Sequence, residues 1–340
     1  MVQSSAAVDV VIPVRNGERF IEACLDSIRS QVLQPDAVIV VDDGSTDRTL
    51  SILSTYQQRW EKLQVIRSDP RGVSHARNLG LAACTAPYVA FMDSDDVWLP
   101  EKLKRQISLF QESSSKVGLV HCAFVQIDES GNALPNGRVY SPTKRGNVLQ
   151  AMLSEFYHIL GPSTVVARRE LVLRLGAFDE TLTIGEDLDL WLRLAHASDV
   201  DYVPEVLASL RSYPESSFSR AVADNPELVF FQRLKIWSRW LHLVPDKKPV
   251  IEAFRKEALA VSAANVVRRR PSFGFYGRLR RSGLPLSNCL FKTRWDYYGT
   301  LSRVAAIDVR IKTLIAKHVI FKSPVLLRLC KKFGKCQTLP

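Results

Sequence analysis

The chain has 340 residues, of which 46% are hydrophobic and 24% charged, an ordinary balance for a folded protein with a sizeable core in one large or two ordinary domains. Its net charge of +11 is unevenly placed: up to Asp224 there are 22 Lys and Arg against 29 Asp and Glu, a net of −7, and from Asn225 onward 24 against 6, a net of +18. Nowhere do about 18 apolar residues run without a charge, and the first seven residues carry neither the basic nor the apolar part of a signal peptide, so a membrane span and a secretory leader are both unexpected.

Val8–Val14 is a β-branched run closed by Pro13 and Asn16-Gly17, which predicts a buried strand and a turn. Phe20, Ile21, Cys24, Leu25, Ile28 and Val32 then recur at helical spacing. Residues 37–41 predict a second buried strand, stopped by Asp42-Asp43-Gly44-Ser45. Thr46 opens a helix with Leu50, Leu53, Tyr56 and Trp60 on one face. A third strand follows at 63–66, a helix at 74–84 and a fourth strand at 88–92. Strands separated by helices of this length predict a parallel sheet covered on both faces, with ligands bound beyond the carboxyl ends of its strands.

The fourth strand runs into Asp93-Ser94-Asp95-Asp96. Alternation places Asp93 and Asp95 on one side of the strand end, and hard oxygen donors so placed suit Mg²⁺ or Mn²⁺. Taken alone, the same residues also suit the first turn of a helix. Arg15-Asn16 beyond strand one and Asp42-Asp43 beyond strand two tip the balance, because three strand ends then carry polar groups. No Gly-x-Gly-x-x-Gly or Walker loop is present, so a bound nucleotide would have its phosphates held by a metal.

Five segments in order, residues 10–17, 41–47, 76–80, 92–96 and 185–193, resemble the motifs of family 2 glycosyltransferases, over roughly residues 8–219 of this chain. The resemblance implies a GT-A nucleotide-sugar-binding fold, an α/β architecture with a mostly parallel sheet flanked by helices. It also implies inverting transfer of a sugar from a nucleotide-diphosphate sugar to an acceptor hydroxyl. By the same resemblance Pro13, Val14, Arg15 and Asp43 hold the nucleobase and ribose, and Arg77 makes a second contact to the base or diphosphate. Asp93 matches the ribose-side aspartate and Asp95 the aspartate that binds Mg²⁺ or Mn²⁺, with Asp96 capping the next helix. A divalent ion on the diphosphate would neutralise charge building on the leaving group.

Leu188, Trp191, Leu192 and Ala195 predict a helix with Glu186-Asp187 in its first turn, where acidic residues also stabilise the helix dipole. Displacement at the anomeric carbon needs a base for the acceptor proton. Asp187 matches the family's catalytic base, Glu186 is a neighbour that orients the acceptor or shares the role, and Asp189 is structural. Residues 206–217 resemble the strand and loop that close over the donor, with Tyr213 where many relatives have a metal-binding His. Tyrosine is no neutral nitrogen ligand, so the metal shell beyond Asp95 is open. The segment 156–169, with Gly161-Pro162-Ser163-Thr164, falls on the acceptor side; Ser163 has no His partner that would make it a nucleophile. His75, His121, His158 and His196 are packing or surface residues.

The chain thus divides into a transferase domain at 1–222, with a donor half to about 115 and an acceptor half from 116, and a basic α-helical C-terminal extension at 223–340. Residues 228–243 and 250–267 predict helices, and Leu301, Val304, Ile307, Ile311, Leu314 and Ile315 form an apolar stripe flanked by Arg303, Arg310, Lys312 and Lys317. Such a helix either packs on its own domain or lies on an anionic membrane surface. No nucleic-acid module surrounds the Arg-rich cluster, so nucleic acid is not an expected partner. The six cysteines show neither zinc-type spacing nor a disulfide framework, which fits a reducing, cytoplasmic compartment; the resemblance to transferases that act on lipid-linked acceptors implies a place peripheral on the inner face of the membrane. The expected partners are a nucleotide-sugar donor and a glycan or lipid-linked acceptor. The alternative is a non-catalytic nucleotide-sugar-binding relative whose basic tail acts as a membrane or polyanion adaptor.

Overall fold

The structure is a computed structural model, and it describes residues 7–134, 139–155, 158–214, 216, 224–246 and 250. The expected helices at 250–267 and around Leu301–Ile315, and with them the basic extension, lie outside the described residues. The chain divides into two compact units, one of Met1–Asp224 with Gln232–Pro245 and one of Asn225–Phe231 with Asp246–Pro340.

The first unit is built on β1 (Val8–Val14), α1 (Ile21–Arg29), β2 (Ala37–Asp43), α2 (Thr49–Gln57), β3 (Leu63–Ser68), α3 (Val73–Ala83), β4 (Tyr88–Phe91), β5 (Val97–Trp98), α4 (Lys102–Glu112) and β6 (Val117–Ile127). It continues through α5 (Leu149–Ser154), β7 (Val166–Arg168), α6 (Arg169–Arg174), α7 (Glu186–Ala197) and β8 (Asp199–Arg211). The eight strands form one sheet in the order β3-β2-β1-β4-β7-β6-β8-β5. β3, β2, β1 and β4 are mutually parallel, β7 enters antiparallel to both β4 and β6, β8 runs parallel to β6, and β5 pairs antiparallel with β8. The expected parallel sheet is thus the first half, and the second half is mixed.

β1 and β2 are buried almost throughout and rich in Val and Ile, with Asp9 near the start of one and Asp42-Asp43 at the end of the other, because both faces are covered. Val8, Val10, Ile12 and Val14 share one core with α1, α2 and α4, while Val11 and Val41 face α3. Gly80 sits at that second contact: a Cβ there would lie 2.5 Å from Val11 Cγ1, so only hydrogen lets helix and strand approach this closely. Further along the same layer Phe91 packs its ring on Phe178 and Trp191 of α7.

Two boundaries differ from the sequence expectation. α2 begins at Thr49 and not Thr46, because Asp47 Oδ1 accepts the Thr49 amide and hydroxyl, and Thr46 is held by Asn16 Oδ1 instead. Val32 lies past the end of α1 and is exposed, since Gln31 turns inward to bond the backbone at Leu99 and Leu103. In the C-terminal part a helix, α8, spans Pro226–Trp240. No helix among the described residues is long and apolar enough to cross a membrane.

Lys102 opens α4 inside the core, with Nζ 4.0 Å from the centre of the Trp98 ring and no hydrogen-bond acceptor. Burial lowers its pKa to about 8 from 10.5. Between those values the unfolded chain carries the extra proton, so stability rises with pH there, and the full penalty applies below pH 8. Lys102→Met is therefore expected to raise unfolding free energy at neutral pH by about 1–3 kcal/mol and to flatten its rise above pH 8, as measured by urea melts.

Candidate active site

The acidic turn and the first turn of α7 meet at the carboxyl end of β4, joined by one arginine. Arg77, on α3, is 3% exposed. Its Nη2 donates to Asp93 Oδ1 at 2.7 Å and its Nη1 to Glu186 Oε1 at 2.6 Å, over the Phe178 ring. Burial opposes its charge, but the two carboxylates outweigh that and hold the guanidinium protonated. Each terminal nitrogen thus uses one N–H within the protein, and Nε is buried without a partner.

The neighbouring Asn78 explains why α7 reaches this place. Its side-chain amide donates to Phe178 O and accepts from Phe178 N, both at 2.9 Å. Ser74 Oγ donates to Leu182 O, and His75 contacts Glu180. α3 thus pins the loop 178–182, and Gly185 turns the chain into α7 with φ at +77°, a left-handed conformation that glycine adopts without penalty.

Glu186 is buried and turned to Arg77, whereas Asp187 stays partly exposed with Oδ1 accepting its own following amide, Leu188 N, at 2.7 Å. Burial, then the adjacent charge of Glu186, raise the Asp187 pKa to about 7 against the opposing pull of Arg77. Asp189 is buried between Arg193 and Arg239 and stabilises the helix, as expected of a structural residue.

The four residues of the acidic turn diverge. Asp93 N donates to Ser163 Oγ at 2.9 Å, and Asp93 Oδ1 accepts from Arg77 Nη2. Asp95 is half-buried, with Oδ2 accepting from the Tyr213 hydroxyl at 3.0 Å. Burial and the Asp93 charge raise its pKa to about 6. Asp96 does not cap a helix. It is 5% exposed, with Oδ2 taking the Ser163 hydroxyl at 2.5 Å and Oδ1 taking the Arg211 amide at 2.8 Å. α4 begins only at Lys102, because β5 intervenes and pulls the chain to β8.

Ser163 and Arg211 are the structural residues that sequence reasoning missed. Arg211 Nε donates to Asp95 O and its Nη1 to Asp128 O and Glu129 O, so the end of β8 clamps the acidic turn. Tyr213, two residues on, packs its ring on Phe20 at 5.1 Å. The one available signal was position: Ser163 lies in Gly161-Pro162-Ser163-Thr164, and Arg211 precedes Tyr213 in the donor-loop segment.

On the donor side Pro13 and Val14 are buried at the end of β1, and Arg15 is exposed beyond them. Asp43 is 4% exposed, its two oxygens accepting the amides of Arg71 at 2.8 Å and Gly72 at 2.9 Å. His121 is a core residue whose pKa burial lowers to about 3. No group of three or more His, Cys, Asp or Glu side chains among the described residues converges on a metal position. Asp95, partly exposed at the strand end, fits a divalent ion of the Mg²⁺ or Mn²⁺ kind, which takes one or two carboxylates and completes its shell with water and phosphate.

Residues 9–173 match the sequence profile described as Glycosyl transferase family 2. The amylovoran biosynthesis glycosyltransferase AmsE of Erwinia amylovora is 32% identical over 216 residues, which cover 60% of this chain and 75% of that protein. Among solved structures, S. aureus TarS 1-349 with UDP-GlcNAc superposes with a TM-score of 0.57 at 19% identity, over 91% of this chain and 83% of that one. The mannosyltransferase PcManGT from Pyrobaculum calidifontis, with GDP-Man and Mn²⁺, does so with a TM-score of 0.54 at 20% identity, over 93% and 88%. The fold is the GT-A fold that the motifs imply, and the chain belongs to glycosyl transferase family 2.

Proposed function

We propose that this glycosyltransferase moves a sugar from a nucleotide-diphosphate sugar to the hydroxyl of a glycan or lipid-linked acceptor in cell-surface polysaccharide synthesis, with inversion. The observation that carries it is the Asp93–Arg77–Glu186 bridge, which sets the acidic turn and the partly exposed Asp187 at one strand end. The names of AmsE, TarS and PcManGT support the donor class and the setting.

In this reading Asp187 accepts the proton of the acceptor hydroxyl as its oxygen attacks the anomeric carbon and the bond to the diphosphate oxygen breaks. A pKa near 7 suits a general base at neutral pH. Asp95 would hold Mg²⁺ or Mn²⁺, which supplies charge neutralisation on the diphosphate when bound. Pro13, Val14 and Arg15 border the nucleoside, Asp43 fixes the loop 71–72 beside it, and Asp93 faces the ribose. Arg77 and Glu186 act as positioning residues, because their charged atoms are committed to each other and to Asp93.

The test is a thermal-shift screen of UDP, GDP, dTDP and their sugars with Mn²⁺ or Mg²⁺, followed by transfer assays with the stabilising donor. One nucleotide should raise Tm in a metal-dependent way, and Asp95→Asn should remove the metal dependence while the fold stays intact. A metal-independent shift that Asp95→Asn leaves unchanged sinks the assignment of Asp95. We also propose that residues 1–222 are the transferase domain and that the basic region 223–340 contacts anionic membrane. Deleting residues 265–340 should abolish flotation with anionic vesicles, and equal flotation refutes that part alone.

A further inference from the structure

At the end of the sheet opposite the acidic turn lies a cavity of about 630 Å³. Its walls come from the approach to β4, the approach to β6, the end of antiparallel β7 with α6, and the end of α7. α7 runs from Glu186, beside Arg77, to Ala197 in the cavity wall, a length of about 18 Å for its turns. The cavity therefore lies apart from the donor and acceptor site.

Four cations line it, Lys116, Arg168, Arg169 and Arg174, against one acid, Glu170. Several arginines among the described residues of the first unit are ion-paired, among them Arg48, Arg77, Arg145 and Arg193. None of the four lining cations has a carboxylate within 4.0 Å among the described residues. The nearby Asp9 is buried, and its oxygens are taken by the amides of Ala37, Thr85 and Ala86.

Two of the arginines are also held in place from one side. Arg168 Nε donates to Val117 O at 2.7 Å and its Nη1 to the Tyr88 hydroxyl at 3.5 Å, with the guanidinium against the Tyr88 and Phe110 rings and Nη2 left over. Arg169 Nε donates to Ala86 O at 2.9 Å. Anchoring through Nε fixes the plane of the fork and leaves terminal N–H groups for a ligand, so less side-chain entropy is lost on binding. Planar forks held this way match the oxygens of a phosphate.

We propose that this cavity is a second binding site, for a phosphate-bearing ligand, distinct from the nucleotide-sugar site. The phosphate belongs either to a soluble compound or to a lipid headgroup, and the assay separates the two. The proposal does not depend on the donor or acceptor assigned above.

Titration calorimetry of the full chain with inorganic pyrophosphate, in EDTA to suppress metal-dependent binding at the acidic turn, probes the soluble source. Flotation with phosphatidylcholine vesicles, with and without phosphatidic acid, probes the lipid source. R169E/R174E, and R174E alone as the milder variant, should weaken binding in one of the two assays by roughly tenfold or more. K104E/R105E on α4 makes the same change of net charge away from the cavity and should retain it. Loss confined to the cavity variants in calorimetry assigns a soluble phosphate, and loss confined to them in flotation assigns a lipid. Equal binding by wild type and R169E/R174E, equal loss in both reversal variants, or no binding in either assay overturns the proposal.

Discussion

Asp187→Asn is expected to lower sugar transfer by about 10²–10⁴-fold, the usual worth of a positioned general base, while donor binding is unchanged. Asparagine keeps the size of the side chain and its hydrogen bond with Leu188 N, but it cannot take a proton. In the wild type the pKa of about 7 places an ascending limb in kcat/KM near neutral pH, because the base must be deprotonated to act. The stability effect has the opposite sense. Burial raises this carboxyl above its ordinary 3.8, so between those values the folded chain holds more protons and stability falls as pH rises. Asp187→Asn should therefore melt at the same or higher temperature than wild type at pH 8 while transfer is lost. Retained transfer with an unchanged pH limb would show that another group is the base.

Arg77→Met is expected to cost about 3–5 kcal/mol of folding stability, because it strands two carboxylates in a largely buried place. Asp93 and Glu186 both lose their partner, and Asp187 loses the one charge that holds its pKa down. Its pKa should move above 7 and the ascending limb of kcat/KM should move with it. A merely structural role would not shift that limb. Adding Glu186→Gln to Arg77→Met removes one stranded charge and should recover part of the stability without restoring the rate. Arg77→Lys tests the geometry: one ammonium cannot span both carboxylates as two guanidinium nitrogens do. An Arg77→Met enzyme with normal stability and an unmoved limb would remove Arg77 from the positioning role.

The strands and helices of the first half were legible because buried parallel strands read as unbroken Val and Ile runs and the intervening helices repeat at their own period. The sites were legible for a related reason: polar residues that interrupt such runs fall at strand ends, where Asp42-Asp43 and Asp93-Ser94-Asp95-Asp96 stand. What failed were inferences from local chemistry alone. Asp96 was expected to cap a helix from its place in an acidic turn, yet its oxygens go to Ser163 and Arg211, 67 and 115 residues away. Thr46 reads as a helix start, but Asn16 from the neighbouring strand end captures its amide.

The sequence alone determined the order of strands and helices, the membership suggested by five spaced motifs, and the acidic residues at the strand ends, because each of these depends on neighbours along the chain. The tertiary structure decided which partners the polar residues of α3 meet. Arg77, which the motifs place at the donor, also bridges two carboxylates from inside the fold, partners that lie 16 and 109 positions away in the chain. It likewise brought Lys116, Arg168, Arg169 and Arg174 to one cavity from β6, β7 and α6. Charges spaced so far apart in sequence carry no joint signal until the sheet closes. Folding itself sets which of them keep a partner and which are left for a ligand.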